Sequence, residues 1–326
     1  MNSRFLRLVG ATLAIAALAV AAAGGWIWVR NGAYGLNVLA RRGGSYWQPM
    51  KAEDMRLSPA MREALAVPPP VISSGNLVWR QLANGYEVGE LPILANGKQV
   101  DLLLLNRIDP SRFRFTVRNA PGGEYNIDGW EQKLPSSVLI VNGSYYGLKG
   151  YPDTPVVMSG LRAGPSTYDA HAGVFASTDG STEIIDVRAR PWRDATATAT
   201  NAMVSYPLLI GDDGATHVST ESRWLANRAF VGETRDGRIV IGTTQEAFFT
   251  LGRFATFLKQ SPLNLKTALN LDGGPVACQS VRLGSFHRKF VARWEAQVSG
   301  DDVKLLSWPF KKGTWAMPMV LTVEPR

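Results

Sequence analysis

Eight Asn-Gly or Asp-Gly pairs punctuate the chain after residue 75, at Asn84, Asn96, Asp128, Asn142, Asp179, Asp213, Asp236 and Asp272. Such pairs accept the positive backbone angles of tight hairpin turns, and most of these must be plain turns. Strand-like runs stand beside them, among them Tyr86 to Ile93, Val100 to Leu105, Pro135 to Val141, Arg238 to Ile241 and Thr267 to Leu271. The pattern predicts an α+β fold of mixed, largely antiparallel sheets with a few helices. One helix is well signalled: Phe248, Leu251, Phe254, Ala255 and Leu258 recur at helical spacing, with Thr244 as the expected cap and an end near Gln260. The glycine- and proline-rich stretch from Lys149 to Pro165 shows no clear element and reads as a functional loop.

The first eighty residues differ in charge. They hold nine Lys/Arg against three Asp/Glu, whereas residues 81–326 hold 26 against 24. The net charge of +8 therefore belongs mainly to the N-terminal region, which argues against nucleic-acid binding by the remainder. Leu8 to Val29 is an uncharged run of 22 residues, long enough to cross a bilayer, with Trp26 and Trp28 placed for the interface. Its length and aromatic end favour an uncleaved anchor over a signal peptide cut after Ala21 or Ala23. Three segments are expected: an anchor over 1–30, a membrane-proximal spacer over 31–74, and the main domain over 75–326. The spacer carries Arg41-Arg42-Gly43-Gly44, a short helix starting at Ser58-Pro59, and Pro68-Pro69-Pro70. The short tail is taken as cytoplasmic and the bulk as periplasmic or outside the cell. Cys278 is the single cysteine, so no intrachain disulfide forms, and it reads as a small buried hydrophobe.

Two strand ends stand apart from ordinary turns. The run Thr267 to Leu271 lacks polar alternation and stops at Asp272-Gly273-Gly274-Pro275. The run Pro135 to Val141 stops at Asn142-Gly143-Ser144-Tyr145-Tyr146. Each delivers a polar side chain and a glycine from a rigid strand, and two such ends can share one rim of a fold. Arg228 opens a further strand, and His171 stands two residues from Asp169 on one strand face.

In that order, these motifs resemble the phosphodiester glycosidase family. Asn142-Gly143-Ser144-Tyr145-Tyr146 is similar to the family's Asn-Gly-Gly turn, Tyr206-Pro207-Leu208-Leu209-Ile210 to its Gly-Pro-apolar strand, and Arg228-Ala229-Phe230-Val231-Gly232 to its Arg hairpin. Ala268 to Gly274 is similar to its closing signature, and the resemblance runs from about Leu77 to Glu324. Ser144, Tyr206 and Pro275-Val276-Ala277 depart from the pattern. The resemblance implies hydrolysis of the glycosidic bond of a sugar-1-phosphodiester, in envelope or exopolysaccharide metabolism. The leaving phosphate monoester needs little protonation, so the site needs a carboxylate at the sugar and a cation at the phosphate more than a strong general acid. Asp272 is the expected carboxylate, Arg228 the phosphate clamp and His171 the acid–base. Asn142, Gly143, Tyr145, Asn270, Gly273 and Gly274 are the expected substrate-binding set. No cofactor or metal set is predicted, and a bound divalent cation stays compatible with the sequence. The rival readings are an inactive polysaccharide-binding module of the same fold, supported by Pro275-Val276, and a cysteine hydrolase using Cys278 with His287.

Overall fold

The computed structural model describes residues 9–26, 28, 46–122, 125–168, 172–188, 190–218, 223–307 and 314–326. Two compact units emerge, Met1–Met50 with Lys304–Lys312, and Lys51–Val303 with Gly313–Arg326. The smaller unit carries one apolar helix, Val9–Trp26, with a mean hydropathy of 1.8 and none of it buried within the chain. It is long and apolar enough to cross a membrane.

In the larger unit the turn chemistry acts as predicted at four of the glycine pairs, among them Asp179-Gly180, which joins Gly173–Ser177 to Thr182–Asp186. Asn84-Gly85 joins Val78–Ala83 to Tyr86–Ala95, Asn96-Gly97 joins that strand to Lys98–Ile108, and Asp236-Gly237 joins Ala229–Thr234 to Ile239–Thr244. Asp128-Gly129 behaves differently. It lies in the helix Ile127–Lys133, where the Asn126 side chain accepts the Gly129 N–H and Asp128 sits in the first turn. A cap and a carboxylate at the helix start outweigh the local turn preference.

Among the described residues, three sheets of five or more strands organise this unit, each antiparallel throughout. The largest runs in the order Leu208–Ile210, Leu265–Asn270, Ala229–Thr234, Ile239–Thr244, Lys98–Ile108, Tyr86–Ala95 and Ile72–Ser74, with Val78–Ala83 also on Tyr86–Ala95. A second holds Phe286–Phe290, Gln279–Leu283, Leu139–Asn142, Met319–Pro325 and Phe113–Asn119. The third holds Thr182–Asp186, Gly173–Ser177, Asn201–Ser205, Val156–Met158 and Leu161–Ala163.

The large sheet is covered on both faces. Leu104, Val231 and Leu269 pack in a core shared with Phe115, Ile140, Phe175 and Val320 from the other two sheets. Their strand neighbours Leu103, Leu105, Phe230 and Ala268 point the other way, into a core capped by Phe254 and Leu258 of the helix Leu251–Gln260. Two dry faces account for the missing polar alternation in Thr267 to Leu271, since no face of that strand meets water.

Three expectations change. The helix begins at Leu251 and is capped by Thr250, whose side chain accepts the Arg253 N–H. Thr244 ends a strand instead, and its hydroxyl accepts the Arg228 N–H at 2.9 Å. The stretch from Lys149 to Pro165 is no open loop, because Val156–Met158 and Leu161–Ala163 form a hairpin on the third sheet. Residues 51–74, read as spacer from their prolines, lie in the larger unit. Ala60, Met61 and Ala64 of the Ser58-capped helix are buried, as is Leu57 just before it, and Ile72–Ser74 pairs with Tyr86–Ala95.

Candidate active site

Strand register brings the first two groups together. Leu265–Asn270 pairs antiparallel with Ala229–Thr234, with Phe230 opposite Asn270. Continuing the pairing outward, Leu271 N–H donates to Ala229 O at 3.0 Å, and Arg228 comes opposite Asp272. The second sheet supplies the other side. Asn142, last residue of Leu139–Asn142, donates from Nδ2 to the Asp272 carbonyl at 2.7 Å, and the Asp272 N–H donates to Gly143 O at 3.0 Å. The two glycine-bearing strand ends thus meet at one rim and hold each other by reciprocal bonds.

Gly143 is required by close approach, since a Cβ there would come 2.7 Å from Met319 Cγ. Gly274 is required twice over. Its φ is +68°, and a Cβ would lie 2.6 Å from Glu295 Oε2. That contact brings a second carboxylate to the turn carrying Asp272. Glu295 arrives on the strand Glu295–Ser299, fixed by Asn227, whose Oδ1 accepts the N–H groups of Arg293 and Trp294 at 3.2 and 2.9 Å. The Asn227 carbonyl also accepts the Gly274 N–H at 2.9 Å.

Arg228 is no surface charge. It is 4% exposed, and its fork is anchored by Nε to Phe249 O at 3.1 Å and Nη2 to Trp224 O at 2.6 Å. Nη1 lies 3.4 Å from where a Cβ on Gly273 would sit, so the guanidinium faces the Asp272 turn. Burial lowers its pKa to about 10, with the charges of Tyr145, Glu295 and Asp272 opposing. It remains a cation at neutral pH.

Tyr145 and Asn270 complete the floor. Asn270 Nδ2 donates to the Tyr145 hydroxyl at 2.7 Å and to Tyr206 O at 3.2 Å, and that hydroxyl donates to Tyr206 O at 2.8 Å. Burial first, and then the charge of Asp272, push the Tyr145 phenol well above its ordinary range, so it stays neutral. Tyr206 stacks on it with ring centroids 4.3 Å apart. The amide nitrogens of Asn142 and Asn270 are therefore engaged inside the chain. Their Oδ1 atoms are buried with no hydrogen-bond partner, and an unpaired buried acceptor is costly until a donor meets it. Tyr145→Phe removes a hydroxyl bonded to two partners; it is expected to cost about 1–2 kcal/mol, read from the denaturant midpoint.

Among the departures, Ser144 donates to Val204 O at 2.8 Å and accepts from Thr154, so its hydroxyl serves packing. Pro275 and Val276 form a buried 3-10 turn, and Val276 and Ala277 join the central core. His171 and Asp169 lie outside the described residues. Among the described residues no group of three or more His, Cys, Asp or Glu is placed to hold a metal ion.

The cysteine alternative fails on geometry. Cys278 is fully buried, burial drives its thiol up to about 12, and its Sγ accepts the Ala292 N–H at 3.3 Å. His287 is instead exposed, beside Glu131 at 3.3 Å. Iodoacetamide is expected to leave the folded chain unlabelled and to modify one thiol after unfolding; fast labelling of native protein would contradict this burial.

Residues 136–292 match the phosphodiester glycosidase family. The phosphodiester glycosidase match spans both strand ends, Arg228 and Asp272, and is shorter than the stretch from Leu77 to Glu324 on which the motifs were read. No curated protein sequence matches the chain. In fold, the chain is similar to the catalytic domain of zebrafish N-acetylglucosamine-1-phosphodiester alpha-N-acetylglucosaminidase, auto-inhibited by its pro-peptide. The identity is 14% and the TM-score 0.50, covering 86% of this chain and 88% of that one. A hypothetical protein from Synechocystis gives 14% identity and a TM-score of 0.48 over 77% of this chain and 64% of that one. A putative exported protein from Burkholderia pseudomallei K96243 gives 8% and 0.42 over 80% and 99%. At such identities the likeness to the zebrafish domain is one of fold. It agrees with the antiparallel α+β architecture expected from the turn pairs.

Tyr206, Glu295 and Asn227 were not singled out as site residues. Tyr206 drew notice only as a departure from the family's Gly, and no local signal marks Glu295 or Asn227, which reach the site through tertiary packing.

Proposed function

We propose that this chain is a hydrolase that cleaves the glycosidic bond of a sugar-1-phosphodiester. The observation that carries the reading is the convergence of Asp272, on its double-glycine turn, with the buried cation of Arg228 inside the region that matches the phosphodiester glycosidases. In the reaction the C1–O bond breaks and its electron pair leaves with the phosphate oxygen. Water's oxygen ends on C1, and its proton passes to solution. Asp272 stabilises or attacks the electron-poor C1. Arg228 supplies a fixed positive charge for the phosphate through Nη1, the nitrogen not given to a backbone carbonyl. The orphaned amide oxygens of Asn142 and Asn270 accept sugar hydroxyl or N-acetyl hydrogens, and His171 is the proposed acid–base.

The apolar helix Val9–Trp26 supports a further part of the reading. It anchors the chain in the inner membrane by a single pass, with residues 75–326 in the periplasm or outside the cell as the catalytic domain, acting on envelope glycan or exopolysaccharide. The test offers the full chain in detergent an N-acetylglucosamine-1-phosphodiester and a matched simple glycoside. Release of sugar from the diester alone is expected. A folded chain that retains a glycan on a column and turns over neither would instead be the binding module.

A further inference from the structure

Beside the candidate site lies a cavity of about 600 Å³ lined by Tyr168, Arg188, Arg190, Trp192, Arg193 and Val204, among others. Its charge is lopsided. Arg188 is held by Asp186, with Nε 3.0 Å from both carboxylate oxygens, and by Asp213 at 3.5 Å. Arg190 and Arg193 form no ion pair among the described residues. Arg193 lies over the Trp192 ring at 4.7 Å and donates from Nη2 to the Ser166 carbonyl, which fixes the guanidinium and leaves its other donors available. With no carboxylate among the described residues paired to either, the two guanidinium groups on one cavity wall give it a positive potential. The Tyr168 hydroxyl is a further signal, being buried with no hydrogen-bond partner.

The cavity is joined to the site through side chains already described. The Tyr168 ring lies 6.4 Å from that of Tyr206, which stacks on Tyr145 above Asn270. Val204 belongs to the cavity wall, and its carbonyl accepts from Ser144, two residues after Asn142.

We propose that the cavity is a subsite for an anionic sugar residue, one bearing a carboxylate or a phosphate, beyond the residue whose bond is cleaved. The inference rests on the glycosidase reading for what lies at Asp272, but its chemistry comes from the cavity itself. Arg190 and Arg193 offer paired N–H donors matched to carboxylate and phosphate oxygens, and Tyr168 offers a ring edge to the sugar. The substrate is accordingly an acidic glycan rather than a neutral one.

Binding, measured without turnover, tests the subsite separately from the reaction. Calorimetry on the full chain uses tetragalacturonate as the carboxylate probe, glucose 6-phosphate as the phosphate probe and maltotetraose as the neutral control. At least one anionic probe is expected to bind ten-fold or more tighter than maltotetraose, and to weaken as salt rises. Which of them binds identifies the acidic group. Arg190→Ala with Arg193→Ala is expected to abolish that preference, while Arg190→Lys with Arg193→Lys retains part of it. Both arginines are exposed, so unfolding curves should match those of the parent. Equal binding of neutral and anionic probes, no binding of either anion, or an alanine pair that keeps the preference would overturn the subsite. A chain that hydrolyses no diester yet shows the preference would refute the reaction and leave the subsite standing.

Discussion

Asp272→Asn is expected to lower turnover of a sugar-1-phosphodiester by about 1,000-fold or more while leaving the fold intact. The substitution keeps size and shape, and an amide oxygen can still accept the Gly273 N–H that Asp272 Oδ1 now accepts at 2.9 Å. The backbone bonds from Asn142 and to Gly143 that fix the turn do not involve the carboxylate. On the proposed reaction, what is lost is a negative charge toward C1, an interaction worth most as positive charge develops there. The effect should fall on kcat more than on KM, with thermal unfolding shifted by no more than about 1 kcal/mol equivalent. Turnover by this variant within about ten-fold of the parent would remove Asp272 from the chemistry.

Arg228→Met should be damaging in two separable ways. The guanidinium donates to the carbonyls of Phe249 and Trp224, so removing it costs two charge-assisted bonds, although Phe249 O keeps the Ala226 N–H at 3.3 Å. At about 1–3 kcal/mol for each, a loss of roughly 3 kcal/mol is expected, seen as a melting temperature lower by about 6–12 °C. Arg228→Lys tests the other role. It restores a charge but not the planar fork, and an ammonium cannot reach both carbonyls while also facing the Asp272 turn. Stability should recover in part, whereas turnover of the diester should stay about 100-fold or more below the parent. Full activity in the lysine variant would show that only the charge matters there.

Much of this site can be read from local chemistry. Asn84-Gly85, Asn96-Gly97 and Asp236-Gly237 make hairpins because the preference lies within two residues and nothing distant opposes it. The hairpin at Asp236 then sets the strand that holds Arg228, and antiparallel pairing carries Arg228 to Asp272. Other features were hidden for equally physical reasons. Thr244 and Thr250 both precede helix-forming residues, and only the packed structure assigns one to a strand end and the other to the cap. Glu295 and Tyr206 owe their positions to Asn227 and to the Tyr145 stack, contacts across long stretches of sequence that no short-range pattern encodes. The hairpin from Val156 to Ala163 was obscured by its glycines and prolines, since strands of three residues are too short to show a period.

Position of bond cleavage tests the central claim most directly. Hydrolysis of an N-acetylglucosamine-1-phosphodiester in water enriched with oxygen-18, followed by mass analysis of the released phosphate monoester, reports which bond broke. Cleavage between C1 and oxygen, assisted by Asp272 and Arg228, predicts a phosphate monoester free of the label. Labelled phosphate would mean that water attacked phosphorus, and the site would be that of a phosphodiesterase acting on the other side of the same oxygen.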